Sequence, residues 1–240
     1  MPRTYEEFRR GIAARDQVAL AAWFRQSGRR YPWRDTLDPF RVLCAEFMLR
    51  RTRADQVAPI YERFLKRFPS PGSVAYAERA EVEEALRGLG LDWRVRQFVD
   101  LCTALVDRFD GQVPESFAEL TALPGVGEYS AAAIRIFAFD VEGAPVDANV
   151  MRVFSRYFGV GLRDADRRQR QLFAALEAAR IHGDHKKFWW AILDIGATVC
   201  VGRKPRHSMC PLRHGCAAVS GDEAAGVPAK IADGPKQYQW

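Results

Sequence analysis

Leu123-Pro124-Gly125-Val126-Gly127-Glu128-Tyr129, running on to Val146-Asp147-Ala148-Asn149, is the stretch on which the reading of this chain turns. Ser116 with Glu119 spells a capping box, which predicts a short helix to about Leu123. Pro124 and two glycines then make a tight turn in which other residues would be strained. A second helix is predicted to follow, with Tyr129, Ala132, Ala133, Ile136 and Phe137 on one face. The N–H groups of such a hairpin, together with the N-terminus of its second helix, suit a phosphate. They would grip a nucleic-acid backbone without reading its sequence. Taken alone, a Gly-x-Gly turn is as readily an ordinary junction between helices.

Helical signals extend to both sides of the hairpin. Thr4 with Glu7 caps a first predicted helix, and a second covers about 16–27. Residues Arg29 to Arg34 read as a basic, aromatic loop. Asp38 and Pro39 start a helix whose Phe40, Leu43, Cys44, Phe47 and Met48 recur at helical spacing. More helices are predicted near 53–67, 79–87 and 94–109, broken by Pro69, Pro71 and Gly88-Leu89-Gly90. Beyond the hairpin, a helix from Asn149 carries Val150, Val153, Phe154, Tyr157 and Phe158 on one stripe, and two more fall at 164–180 and 184–199. Alternating strand patterns are scarce, so the chain reads as all-α, with an irregular tail over 220–240.

A chain of 240 residues holds one large domain or two small ones. Its 36 Lys and Arg against 30 Asp and Glu leave a charge of +6, which weakly favours an anionic partner. No apolar run approaches the roughly 20 residues that cross a bilayer, and residues 1–17 lack the apolar core of a secretory signal. A cytoplasmic, reducing setting is therefore expected, where five cysteines suggest metal or core packing before disulfides. Cys200, Cys210 and Cys216 cluster in a loop, and His207 completes four donors separated by six, two and five residues. Thiolate and imidazole suit an iron–sulfur cluster or zinc. Cys44 and Cys102 lie on apolar faces and read as core, His214 fits no ligand spacing and reads as surface, and His182 and His185 flank a helix start and need no special role.

The hairpin, the following aspartate and the cysteine loop, in that order, resemble the helix–hairpin–helix DNA glycosylases that include endonuclease III and the adenine glycosylase MutY. The likeness covers about residues 30–217. Within that family, Ala45-Glu46-Phe47-Met48-Leu49-Arg50-Arg51-Thr52, Gly88-Leu89-Gly90-Leu91 and Val146-Asp147-Ala148-Asn149 look most like the branch that removes thymine or uracil opposite guanine. The resemblance implies two all-α domains: a six-helix barrel over 35–138, and a cluster domain joining 1–34 to 139–219. It implies a [4Fe-4S] cluster on Cys200, His207, Cys210 and Cys216, although the family uses cysteine where this chain has His207; zinc is the alternative. It further implies a monomer acting on double-stranded DNA with a mismatched or damaged base, associated with the nucleoid.

The reaction to be explained is scission of an N-glycosidic bond in a base lifted out of the duplex. Asp147 matches the family's essential aspartate, which balances oxocarbenium charge or activates water. It is also an apt N-cap, a place that should keep the acid charged. Asn149 would position Asp147 or the water. Glu46 falls on a helix apolar nearly all round, where burial should raise its pKa and let it deliver a proton, unless it pairs with Arg50. Tyr129 stands where bifunctional relatives carry a Schiff-base lysine, so lyase activity should be absent or weak. By the same resemblance Gly125, Val126 and Gly127 hold a phosphate, Arg51 fills the vacated stack, and Leu91 faces the other strand. The expected activity is a monofunctional glycosylase for thymine or uracil opposite guanine. A MutY-like adenine glycosylase, an enzyme for another modified pyrimidine, and a non-catalytic mismatch binder remain as alternatives.

Overall fold

A computed structural model describes residues 9–90, 92–160 and 181–220 together with Leu176. Thr4, Glu7, Leu91, nearly all of the predicted 164–180 helix and the tail beyond 220 lie outside the described residues. Among the described residues the regular structure is helical, with no strand. In chain order the helices are α1 (Ala14–Ser27), α2 (Pro39–Met48), α3 (Ala54–Arg67), α4 (Pro71–Ala75), α5 (Arg79–Ala85), α6 (Asp92–Phe109), α7 (Phe117–Thr121), α8 (Glu128–Phe139), α9 (Ala148–Phe158) and α10 (His185–Thr198). The chain divides into two compact units, one from Arg30 to Val141 and one formed by the residues up to Arg29 with those from Glu142 onward.

In the first of these, α2 is the central element and packs against α3 and α8. Asp38 starts it by accepting from the N–H groups of Phe40 (2.9 Å) and Arg41 (3.2 Å). The run Val42 to Met48 is then buried on all sides, Glu46 included. Phe47 meets Phe98 of α6 at 4.5 Å between ring centroids, and Phe98 meets Phe64 of α3 at 5.6 Å. Helices α4 and α5 cover α6. Pro71 does not merely break a helix, as its sequence suggests: it occupies the first turn of α4, behind a reciprocal Ser70–Ser73 capping box. Ser116 caps α7 from one side only, accepting from Glu119 N–H at 3.5 Å.

The basic, aromatic loop resolves differently from its composition. Pro32–Arg34 is a 3-10 turn whose Trp33 and preceding Tyr31 are buried and stacked at 4.7 Å, with Trp33 edge-on to Tyr61. These aromatics are core, because the turn directs them inward.

In the second unit α10 packs against both α1 and α9, and Phe154 stacks on Trp189 at 5.9 Å. Buried Asp194 on α10 accepts from Arg29 twice, from Nε at 2.7 Å and from the backbone N–H at 2.8 Å. Tyr157 on α9 donates to buried Asp16 on α1 at 2.7 Å. Gly215 passes directly over that bond: a Cβ there would overlap both Asp16 Oδ2 and the Tyr157 hydroxyl. Gly215→Ala should therefore destabilise the protein by about 2 kcal/mol, roughly 4–8 °C in Tm. Gly202→Ala, whose Cβ meets nothing within 4 Å, is the control and should leave the melting curve unchanged.

Candidate active site

Asp147 has extended backbone (φ −111°, ψ −177°) and forms the N-cap of α9. Its Oδ1 accepts from Val150 N–H and its Oδ2 from Asn149 Nδ2, each at 2.8 Å. The Oδ1 of Asn149 in turn accepts from Arg152 Nη2 at 2.6 Å. Arg152 also donates to two carbonyls at the end of α10, Gly196 O and Cys200 O, each at 2.7 Å. Gly196 allows the approach, since a Cβ there would press on Asn149. A continuous chain of hydrogen bonds thus runs from the Asp147 carboxylate to the first residue of the cysteine loop. Burial raises the Asp147 carboxyl above its ordinary value. The Val150 and Asn149 hydrogen bonds and the Arg152 charge oppose that rise without cancelling it. The cap interaction expected to keep the acid charged is present, but loss of solvent is the larger effect.

The cysteine loop is organised by the end of α9. Arg156, 5% exposed, donates to Val201 O (2.7 Å) and Gly202 O (2.9 Å) and lies 3.4 Å from Cys200 Sγ. At the loop's far end, Ala217 and Ala218 donate to the carbonyls of Tyr157 and Arg156. Cys200, His207, Cys210 and Cys216 all line one small cavity, among Val153, Ile195 and Val199. Among the described residues no group of three or more His, Cys, Asp or Glu is arranged to hold a metal ion. The three thiols and the imidazole fit a soft, thiolate-bound group in donor chemistry and in the apolar lining they share. Cys44 and Cys102 are fully buried core residues, and His214 is exposed.

The hairpin belongs to the other unit. Gly125 has φ +75°, and a Cβ on it would overlap the Gln97 side chain. Val126 is buried, and its N–H is engaged by Leu123 O at 3.1 Å. Gly127 is the N-cap of α8 and brings no side-chain cap, and a helix N-terminus is by its dipole and N–H groups suited to an anion. Tyr129 is half-buried, at the edge of a buried face formed by Ser130, Ala131, Ala133, Ile134, Ile136 and Phe137. It does not begin the core stripe that its spacing suggested. Arg50 lies over the Phe47 ring at 4.5 Å and donates to Gln97 Oε1 (3.0 Å) and to Gly125 O, tying the end of α2 to the hairpin turn. Burial lowers its pKa to about 10, against the favourable charge of buried Glu46. Arg51 is exposed with φ +53°, a left-handed conformation uncommon outside glycine.

Residues 44–177 match the family described as "HhH-GPD superfamily base excision DNA repair protein". The chain belongs to this superfamily. It is 35% identical over 210 residues to the thymine-DNA glycosylase of Aeropyrum pernix, covering 85% of this chain and 93% of that one. It is 33% identical over 214 residues to the adenine DNA glycosylase of Mycolicibacterium smegmatis, covering 89% and 72%. The solved structure of a thermostable thymine-DNA glycosylase overlays it with a TM-score of 0.80 and 28% identity, over 90% of this chain and 98% of that one.

Membership gives the two constellations a common context, although Glu46 and Tyr129 lie in one unit and Asp147 and Asn149 in the other. Sequence reasoning weighed Arg50 only as a partner for Glu46 and passed over Arg94, Arg152 and Arg156, because an arginine in a helical pattern reads as solvated charge. Asp147→Asn retains an acceptor for Val150 N–H and removes a desolvated charge. It should bind DNA, lose at least about 100-fold in excision rate, and melt higher at neutral pH. Arg152→Ala should lower kcat about 10-fold while leaving KM nearly unchanged, as expected of a positioning residue. An unaltered kcat would remove Arg152 from the mechanism.

Proposed function

We propose that the protein is a monofunctional DNA glycosylase that hydrolyses the N-glycosidic bond of thymine or uracil mispaired with guanine. The observation that carries this reading is the hydrogen-bonded, desolvated Asp147 carboxylate at the head of α9. Similarity to thymine-DNA glycosylases over most of both chains supports the choice of base.

In this reading the hairpin at Gly125 and Gly127, at the N-terminus of α8, holds a backbone phosphate while the base is extruded. As the bond from C1′ to the pyrimidine N1 breaks, its electron pair leaves with the base. The ionised Asp147 balances the oxocarbenium charge, more strongly for being withdrawn from water. Water then bonds to C1′, and the proton it sheds neutralises the departed pyrimidine anion. Asn149 holds Asp147 in orientation. Glu46 hydrogen-bonds the base or the water, since a pyrimidine leaving through N1 offers no purine nitrogen to protonate. The Tyr129 phenol cannot form an imine, so no strand nicking follows excision. Arg51 and Leu91 are assigned to the vacated stack and the opposite strand.

Cys200, His207, Cys210 and Cys216 are assigned to a [4Fe-4S] cluster that stabilises the loop and takes no part in bond breaking. Iron and sulfide analysis of the purified protein should find about four of each; one zinc without iron would replace the cluster by zinc. The substrate assignment is tested by incubating the protein with G·T, G·U, A·8-oxoguanine and damaged-pyrimidine duplexes, with and without alkali. Excision should be confined to G·T and G·U, and strand breaks should require alkali. Cleavage of the A·8-oxoguanine duplex alone would instead establish the adenine reading, to which the Mycolicibacterium relative lends weight.

A further inference from the structure

Within the unit from Arg30 to Val141, the Gly88–Gly90 segment borders a cavity of about 480 Å³ that the proposed reaction does not use. Its apolar lining includes Phe47, Leu86 and Val95, and its polar lining includes Arg94, Glu83 and Glu84. Arg94 is 2% exposed. Its Nη1 donates to Thr52 Oγ1 at 2.8 Å and, more weakly, to Leu89 O at 3.4 Å. Its Nε and Nη2 are buried with no acceptor. The nearby carboxylates are already engaged, Glu83 by Arg79 at 2.7 Å and Glu84 by Arg87. A buried guanidinium with two N–H groups unsatisfied is expensive in the absence of a ligand. Burial and the neighbouring charge of Arg51 both push its pKa down, which sharpens the demand for an acceptor.

We propose that this cavity receives the guanine of the mispair, with Arg94 Nε and Nη2 donating to guanine N7 and O6. The inference rests on the proposed preference for a base opposite guanine. Nε and Nη2 form the side-on edge of the guanidinium, two parallel donors that match two adjacent acceptors. Among the four bases only guanine presents such a pair, N7 beside O6. A phosphate could accept from the same edge, with Arg87 on the cavity wall beside Glu83 and Glu84, and the binding test below separates the two. The same carboxylates suit the N1–H and N2–H donors on guanine's other edge. The cavity lies within the size range of small-molecule sites, and its apolar lining can meet the faces of a ring. Arg94 is anchored on Thr52, the residue after Arg51. The residue assigned to the vacated stack and the one assigned to the partner base therefore share a single support.

The test is equilibrium binding, with no chemistry required. Duplexes carry a non-hydrolysable 2′-fluoro thymidine opposite guanine, 7-deazaguanine or adenine. For the wild type, replacing N7 by C–H should weaken binding about 5- to 10-fold. Arg94→Ala should bind the guanine duplex correspondingly less well and be indifferent to the 7-deaza change. Arg94→Lys keeps the charge but not the two-donor edge, and should be equally indifferent. A wild type indifferent to 7-deazaguanine would overturn the proposal even if neither variant folded. Equal weakening of all three duplexes by Arg94→Ala would mean a phosphate contact and would also overturn it. A lower Tm with the 7-deaza penalty intact would do the same, by showing a purely structural role. Because binding is read without excision, an error about the excised base appears in the glycosylase panel and leaves this result to stand or fall alone.

Discussion

The carboxylate of Asp147 is held against water by a helix start and by a chain of side chains that ends on another helix. Its two oxygens are fixed by Val150 N–H and Asn149 Nδ2, and Asn149 is fixed by Arg152, which grips the last carbonyls of α10. That arrangement requires α9 and α10 to approach closely, hence a glycine at 196. It also joins the carboxylate to the cysteine loop, because Arg152 bonds Cys200 O and Arg156 bonds the two carbonyls that follow. A group bound in that loop would hold the end of α10 and, through Arg152, the aspartate. The loop can thus matter to catalysis without touching substrate. A desolvated anion is also the stronger electrostatic partner for a developing cation, since its field is less screened.

Several arginines in this protein are structural. Arg50, Arg94, Arg152 and Arg156 each direct N–H groups at backbone carbonyls of turns and loops, where a planar fork can close two or three orphan acceptors at once. Arg29 is taken up by Asp194. The excess positive charge read from composition therefore overstates what faces DNA. The same economy links segments within one unit: Arg50 joins the end of α2 to the hairpin, and Arg94 joins Thr52 to Leu89.

Much of this is legible in the sequence. Helical periodicity located α2, α3, α6, α8, α9 and α10, because each buries a stripe that recurs at 3.6 residues. The glycines at 125 and 127 and the Asp147 cap were readable because those positions constrain backbone shape. What the sequence hid depends on packing between segments distant in the chain. Tyr31 and Trp33 read only as part of a basic, aromatic loop, and the 3-10 turn directs both inward. Pro71 looked like a break and starts a helix. Tyr129 looked like the head of the core stripe and stands at its edge. The direction of the Asp147 shift was also hidden: the cap that lowers the pKa is written locally, whereas the burial that raises it comes with the folded packing.

The most direct test of this account is the pH dependence of single-turnover thymine excision. With ionised Asp147 as the proposed active form and its pKa raised, the rate should fall as pH drops, with a midpoint above the ordinary 3.8 of an aspartate. The same sign applies to stability: the melting advantage of Asp147→Asn at neutral pH should shrink as pH falls through that midpoint. A rate that stays level down to pH values near 3.8, or a midpoint below it, would contradict the claim that a desolvated Asp147 carboxylate carries the reaction.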